Sequence, residues 1–126
     1  MVAYKKGSIF NPFQLATSGI FKAIKEEKNL KIQLAILSAV VIVGIILGIS
    51  RIEWLIIILI SSAVLAAEIF NSAIEQTCSY IDEKHNLKFG ETELARDIAA
   101  GAVWLLAIAS MIIGVLIFLP YILASP

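Results

Sequence analysis

The sequence predicts an all-α integral membrane protein, with one amphipathic helix on the membrane surface followed by three helices that cross it. Three observations carry that prediction. The chain of 126 residues is 60% hydrophobic and only 16% charged, far from the composition of water-soluble domains. It contains three apolar stretches, each long enough to supply the roughly 20 residues a helix needs to cross a bilayer core. The segment ahead of them repeats apolar residues at three- and four-residue steps, the period of a helix with one greasy face. A chain this small has too little interior to hide so much apolar surface in a core of its own. Lipid has to serve as its solvent.

The elements follow in order, as one domain over residues 1–126. Asn11-Pro12 reads as a cap and first turn, with the surface helix expected over 13–28. Phe13, Ala16, Ile20 and Ile24 form its stripe, with Phe21 beside them, while Lys22, Lys25, Glu26 and Lys28 lie off it. A soluble helix packed on a partner would show the same pattern, but an apolar stretch directly after it favours the membrane surface. The spans are expected over 33–50, 52–81 and 98–123. The first and third carry no charge. The second is longer than a crossing requires, so its end projects into headgroups or water. Gly44 and Gly48 form a GxxxG in the first span, which is either a close-approach surface between subunits or two small residues in an apolar helix.

Net charge is zero, so nothing global points to nucleic acid. The distribution says more. Lys5, Lys6, Lys22, Lys25, Lys28 and Lys31 precede the first span, and Lys84, Lys88 and Arg96 lie between the second and third; Arg51 alone sits in the turn between the first two. The excess of Lys and Arg places the N-terminus and the 82–97 loop in the cytoplasm. Cys78 is the single cysteine, which rules out an internal disulfide and a cysteine-cluster metal site, and it is expected to be an ordinary helix residue. No cleavable signal peptide, P-loop, Gly-rich dinucleotide fingerprint or His-metal motif is visible.

The chemistry is expected in the second span. Glu68, Asn71 and Glu75 are three and four residues apart and share one helix face. Counting from Glu53, the helical rise puts Glu68 at about 22 Å and Glu75 at about 33 Å, against a hydrocarbon core of about 30 Å. The polar line thus crosses from the depth of a lipid headgroup to that of a water-soluble cosubstrate. An ionisable group inside the bilayer costs roughly 2.5–3.5 kcal/mol, so function is its default reading. The alternative is a protonated Glu68 that bonds a neighbouring helix as packing glue. Glu27, at the end of the surface helix, and Asp97, at the start of the third span, lie at a similar depth. Clustered acids repel phosphates unless a divalent cation bridges them, and Mg²⁺ typically takes one or two carboxylates plus phosphate oxygens, which suits Glu27 and Glu75. Arg96 would neutralise a transferring phosphoryl group, and Glu68 is placed to accept a proton from a lipid hydroxyl.

The stretches AAEIFNSAIE (Ala66–Glu75) and ARDIAAGAV (Ala95–Val103), with EKNLKIQ (Glu27–Gln33) ahead of them, closely resemble the prokaryotic diacylglycerol kinase family, which includes undecaprenol kinases. The likeness covers roughly residues 13 to 118. It implies a homotrimer in the bacterial cytoplasmic (inner) membrane, with active sites shared between neighbouring subunits, that uses ATP and Mg²⁺ to phosphorylate diacylglycerol or undecaprenol. On that resemblance Glu68 is the catalytic base, Glu27 and Glu75 hold metal and ATP, and Asn71, Arg96 and Asp97 line the nucleotide side. Four positions depart from the family pattern. Arg96 replaces a Lys, Ser79 stands where an Asp is common, Leu15 replaces a Tyr, and the loop from His85 to Arg96 is longer. A reading of another class is a non-catalytic oligomer or small ion pathway built around Glu68. It would need polar stations in the outer half of the spans as well.

Overall fold

The computed structural model describes residues 10–88 and 90–124. Lys5 and Lys6 of the charge count, and Phe89 of the loop, lie outside them. Four helices follow one another: α1 (Phe10–Glu26), α2 (Lys28–Leu47), α3 (Arg51–His85) and α4 (Glu93–Ala124). The last three are long and apolar enough to cross a membrane. All of the regular structure among the described residues is helical.

Each boundary differs from the expected one for a physical reason. α1 takes in Asn11 and Pro12, because proline's missing N–H is tolerated in a first turn, where the N–H groups have no helical partner. α1 and α2 are separated by Glu27 alone, an extended residue at φ −92°, ψ 115°. α2 therefore starts at Lys28 instead of Gln33. It stops at Leu47, where Gly48 adopts the left-handed conformation at φ 65° and the Ile49 N–H returns to the Gly44 carbonyl at 3.2 Å. That closure satisfies carbonyls the helix end would leave bare. Ser50 belongs to the next helix. Its Oγ accepts from the Glu53 N–H at 3.3 Å, and Glu53 Oε2 accepts from the Ser50 N–H at 2.7 Å, a reciprocal cap.

The stretch 82–97, expected as a loop, is mostly helix. α3 runs on through Asp82 to His85 until Asn86 turns left-handed at φ 50°, and α4 begins at Glu93, so Arg96 and Asp97 sit on a helix. Charge marks where a helix leaves the bilayer; it does not end the helix.

α3 and α4 form the most extensively packed pair of helices, with α2 against α3 and α1 touching both α2 and α3. At one end Ile49, Ile57 and Ile117 are buried, with Trp54, Phe118 and Tyr121 packed on them. The Tyr121 hydroxyl donates to Glu53 Oε2 at 2.7 Å and ties the end of α4 to the start of α3. Gly44 is buried under Trp54: a Cβ there would lie 2.9 Å from the indole Cη2. The GxxxG pair thus has two separate uses inside the chain, a close approach at Gly44 and a positive φ at Gly48. Elsewhere the apolar faces are bare. Only 11%, 11% and 6% of the most apolar windows of α2, α3 and α4 are buried within the chain, so the rest must meet lipid or neighbouring copies. On α1, Phe13, Ile20 and Phe21 are exposed as well, the bare stripe a surface helix lays into a bilayer.

Candidate functional site

Helix α3 carries three buried polar residues within two turns: Glu68 at 3% exposure, Asn71 at 8% and Ser72 at 4%. Ser72 bonds back to its own helix, Oγ to the Glu68 carbonyl at 3.0 Å. Glu68 is met from α2. Gln33 Nε2 donates to Glu68 Oε2 at 3.2 Å. An interhelical bond to Glu68 is what the packing reading expected, but it occupies one oxygen only. Among the described residues no hydrogen bond reaches Oε1, which stays open to accept a proton.

One turn on, Asn71 Nδ2 donates to Glu75 Oε1 at 3.1 Å, which fixes that carboxylate and leaves its second oxygen for another ligand. Asn71 Oδ1 and Gln33 Oε1 are buried with no hydrogen-bond partner. Buried acceptors are normally satisfied, so two orphans flanking Glu68 mark a place built for polar groups the chain does not supply. Gln33 also stands at the rim of an apolar cleft of about 380 Å³ between α2, α3 and α4, lined along its length by Leu37, Ile57, Val64 and Met111. Its position in an otherwise uncharged apolar run was the signal that sequence reasoning missed.

The structure brings the remaining candidates together only in part. Glu27, half-buried at the α1–α2 break, and Asp97, exposed on α4, form no hydrogen bond or ion pair with another candidate. Arg96 is engaged by Asp82, Nη2 to Oδ2 at 3.1 Å, and by Thr92 and Ser79, none of which sequence reasoning assigned a role. His85 is exposed at the end of α3, and Cys78 is a free thiol buried in the helix.

Glu27 and Glu75 each carry carboxylate oxygens, the donor type Mg²⁺ prefers when substrate phosphates complete its shell. Among the described residues no group of three or more His, Cys, Asp or Glu side chains could hold a metal by itself.

A sequence model described as prokaryotic diacylglycerol kinase matches residues 14–118, a range that takes in all of these side chains. The chain belongs to the prokaryotic diacylglycerol kinase family. As a member it is an enzyme, a lipid kinase, and its three apolar helices make it a multi-pass membrane protein. It is 40% identical over 111 residues to the undecaprenol kinase of Bacillus subtilis, covering 88% of each chain. It is also 32% identical over 113 residues to the diacylglycerol kinase of a Synechocystis species, covering 89% of this chain and 63% of that one. No solved structure matches it.

Proposed function

We propose that this lipid kinase transfers the γ-phosphoryl group of ATP directly to the hydroxyl of a membrane lipid alcohol at the cytoplasmic face. The observation that carries the reading is Glu68: a carboxylate buried in a membrane-spanning helix, held at one oxygen by Gln33 and free at the other. A general base needs that combination of fixed orientation and an available lone pair. The lipid chain lies along the apolar cleft, and its hydroxyl donates its one proton to Glu68 Oε1. Glu68 takes the hydroxyl proton as the alkoxide oxygen attacks the γ-phosphorus in line, and ADP leaves toward the water side.

Glu75, oriented by Asn71, and Glu27 would hold Mg²⁺, and the metal, when bound, would neutralise charge on the phosphoryl oxygens. Arg96 pairs with a phosphate from the cytoplasmic side, with Asp97 beside it on α4. The assembly is a homotrimer in the bacterial inner membrane, with the N-terminus and the α3–α4 turn in the cytoplasm. The apolar faces left bare within one chain, and the absence of a bond from Glu27 or Asp97 to the other candidates, agree with sites completed by a neighbouring copy. Greater identity to the undecaprenol kinase, over most of both chains, supports undecaprenol as the better substrate, with diacylglycerol the weaker.

The test is Glu68→Gln, purified in detergent and assayed with labelled ATP on both lipids. The expected outcome is a loss of turnover of at least about a hundred- to ten-thousandfold, with oligomer size unchanged. Normal turnover would remove Glu68 as the base. Wild-type protein that drives ion flux yet leaves ATP untouched would return the ion-pathway reading.

A further inference from the structure

Where α3 and α4 leave the membrane, Arg96 is gripped in a way the proposed chemistry does not yet use. A guanidinium has two forked edges, a side edge of Nε and Nη2 and an end edge of Nη1 and Nη2. The side edge of Arg96 is taken. Nε donates to Thr92 Oγ1 at 3.3 Å and Nη2 to Asp82 Oδ2 at 3.1 Å. Thr92 Oγ1 donates its own proton to the same Asp82 oxygen at 2.7 Å, which closes a triangle. Among the described residues the end edge meets only the exposed Ser79 hydroxyl, 3.4 Å from Nη1 and 3.3 Å from Nη2, contacts at the long limit for such bonds. Beyond it lies an open hollow of about 520 Å³ bounded by Ser79, Asp82, Glu83, Asn86 and Arg96.

We propose that Asp82, helped by Thr92, is a positioning residue that clamps the side edge of Arg96 so that its end edge is presented to a phosphate of the nucleotide, whose oxygens displace the Ser79 hydroxyl. The inference rests on the kinase reading and deepens it. Two N–H groups on one edge match two phosphate oxygens, and the grip on the other edge fixes the angle at which they are offered. A lysine at position 96 offers three N–H groups from one rotating nitrogen, so a grip on one of them does not fix the angle at which a pair is presented. Three departures from the family pattern therefore meet at one point. Arg96 replaces the Lys, Ser79 leaves room where an Asp is common, and the longer loop delivers Thr92. The acid is retained one helical turn further along the same face of α3, at Asp82. Its second oxygen is buried without a partner, so Arg96 and Thr92 are the only side chains among the described residues that orient it.

The experiment measures equilibrium binding of a non-hydrolysable ATP analogue with Mg²⁺, alongside KM for ATP and kcat for lipid phosphorylation. It uses full-length wild-type protein, Asp82→Asn, Thr92→Val, Arg96→Lys and the Asp82→Asn/Arg96→Lys double variant. Asp82→Asn is expected to weaken analogue binding and raise the KM for ATP by about tenfold, the scale of one charge-assisted hydrogen bond. The fall in kcat and the change in lipid KM are smaller. Thr92→Val shifts the same quantities less. In the Arg96→Lys background, Asp82→Asn adds little, because the two residues act as one unit.

Unchanged nucleotide affinity in both Asp82→Asn and Thr92→Val, with wild type active, overturns the positioning role and leaves the kinase reading standing. So does a lowered thermal midpoint without any change in affinity, which is the mark of a merely structural tie. Undiminished loss from Asp82→Asn in the Arg96→Lys background also overturns it, since Asp82 would then act alone. Wild-type protein that neither binds the analogue nor phosphorylates lipid defeats the kinase reading itself.

Discussion

Glu68 and Gln33 show how one hydrogen bond can orient a carboxyl group inside a membrane-spanning helix. The donor lies 35 residues away on α2, and its amide is neutral, so it orients the group without forming an ion pair. Gln33→Leu removes the donor and places an apolar side chain of similar size on the cleft. Turnover on lipid is expected to fall by about ten- to a hundredfold, since a buried acceptor loses its partner, while binding of an ATP analogue holds. Paired turnover and binding measurements check both halves. A loss of nucleotide affinity equal to the loss of turnover would show that Gln33 supports the fold and not the base. Glu68, Asn71 and Glu75 were legible in the sequence, because polar residues at helical spacing inside an apolar run carry an energetic cost that demands a reason. Gln33, Asp82 and Thr92 were not. An amide near a span's start and a hydroxyl in a loop cost nothing until their distant partners are known.

The helices were legible as elements, but their ends were not. Apolar length marks where bilayer must lie, and the expected spans follow that. The helices stop instead where backbone conformation stops them, at Glu27, Gly48 and Asn86, and the stretch from Asp82 to His85 stays helical although it is charged. Gly44 supplies a test at this scale. A methyl group there would lie 2.9 Å from Trp54 Cη2, 3.0 Å from Cζ2 and 3.1 Å from Ile49 Cδ1. Gly44→Ala is expected to destabilise the chain by about 1–3 kcal/mol, the usual range for overpacking. Unfolding in mixed micelles would measure it, and Trp54→Phe in the same chain should recover part of the loss. A stable Gly44→Ala variant whose oligomer dissociates would instead assign Gly44 to a contact between copies.

At the scale of the whole molecule, charge asymmetry is the basis of the proposed orientation. Every lysine of the sequence falls either at or before Lys31, in the first turn of α2, or in the segment from Lys84 to Lys88, and the junction of α2 and α3 carries only Arg51, the first residue of α3. In the proposed orientation no lysine amine faces outward. A membrane-impermeant amine reagent is therefore expected to label the protein in inverted vesicles and to leave it unlabelled in right-side-out cells. Labelling in intact cells would reverse the topology and move the site to the other leaflet. The fold class could be read at this scale because composition alone decides it: the bare apolar faces of α2, α3 and α4 leave the chain no stable arrangement in water. The proposed sharing of the site between copies has no signal in the sequence, since Glu27 and Asp97 make no hydrogen bond or ion pair with another candidate residue within one chain.

The break at Glu27 has a further consequence, one of rotation. Because one extended residue joins α1 to α2, the azimuth of the first helix is keyed to that of the second like a gear with no slack. Inserting a single alanine beside Glu27 would swing Phe13 and Ile20 by about 100° around the helix axis, turning the greasy stripe away from the face it now presents. Exchanges of side chain elsewhere in this joint should be absorbed, whereas a change of length by one should not.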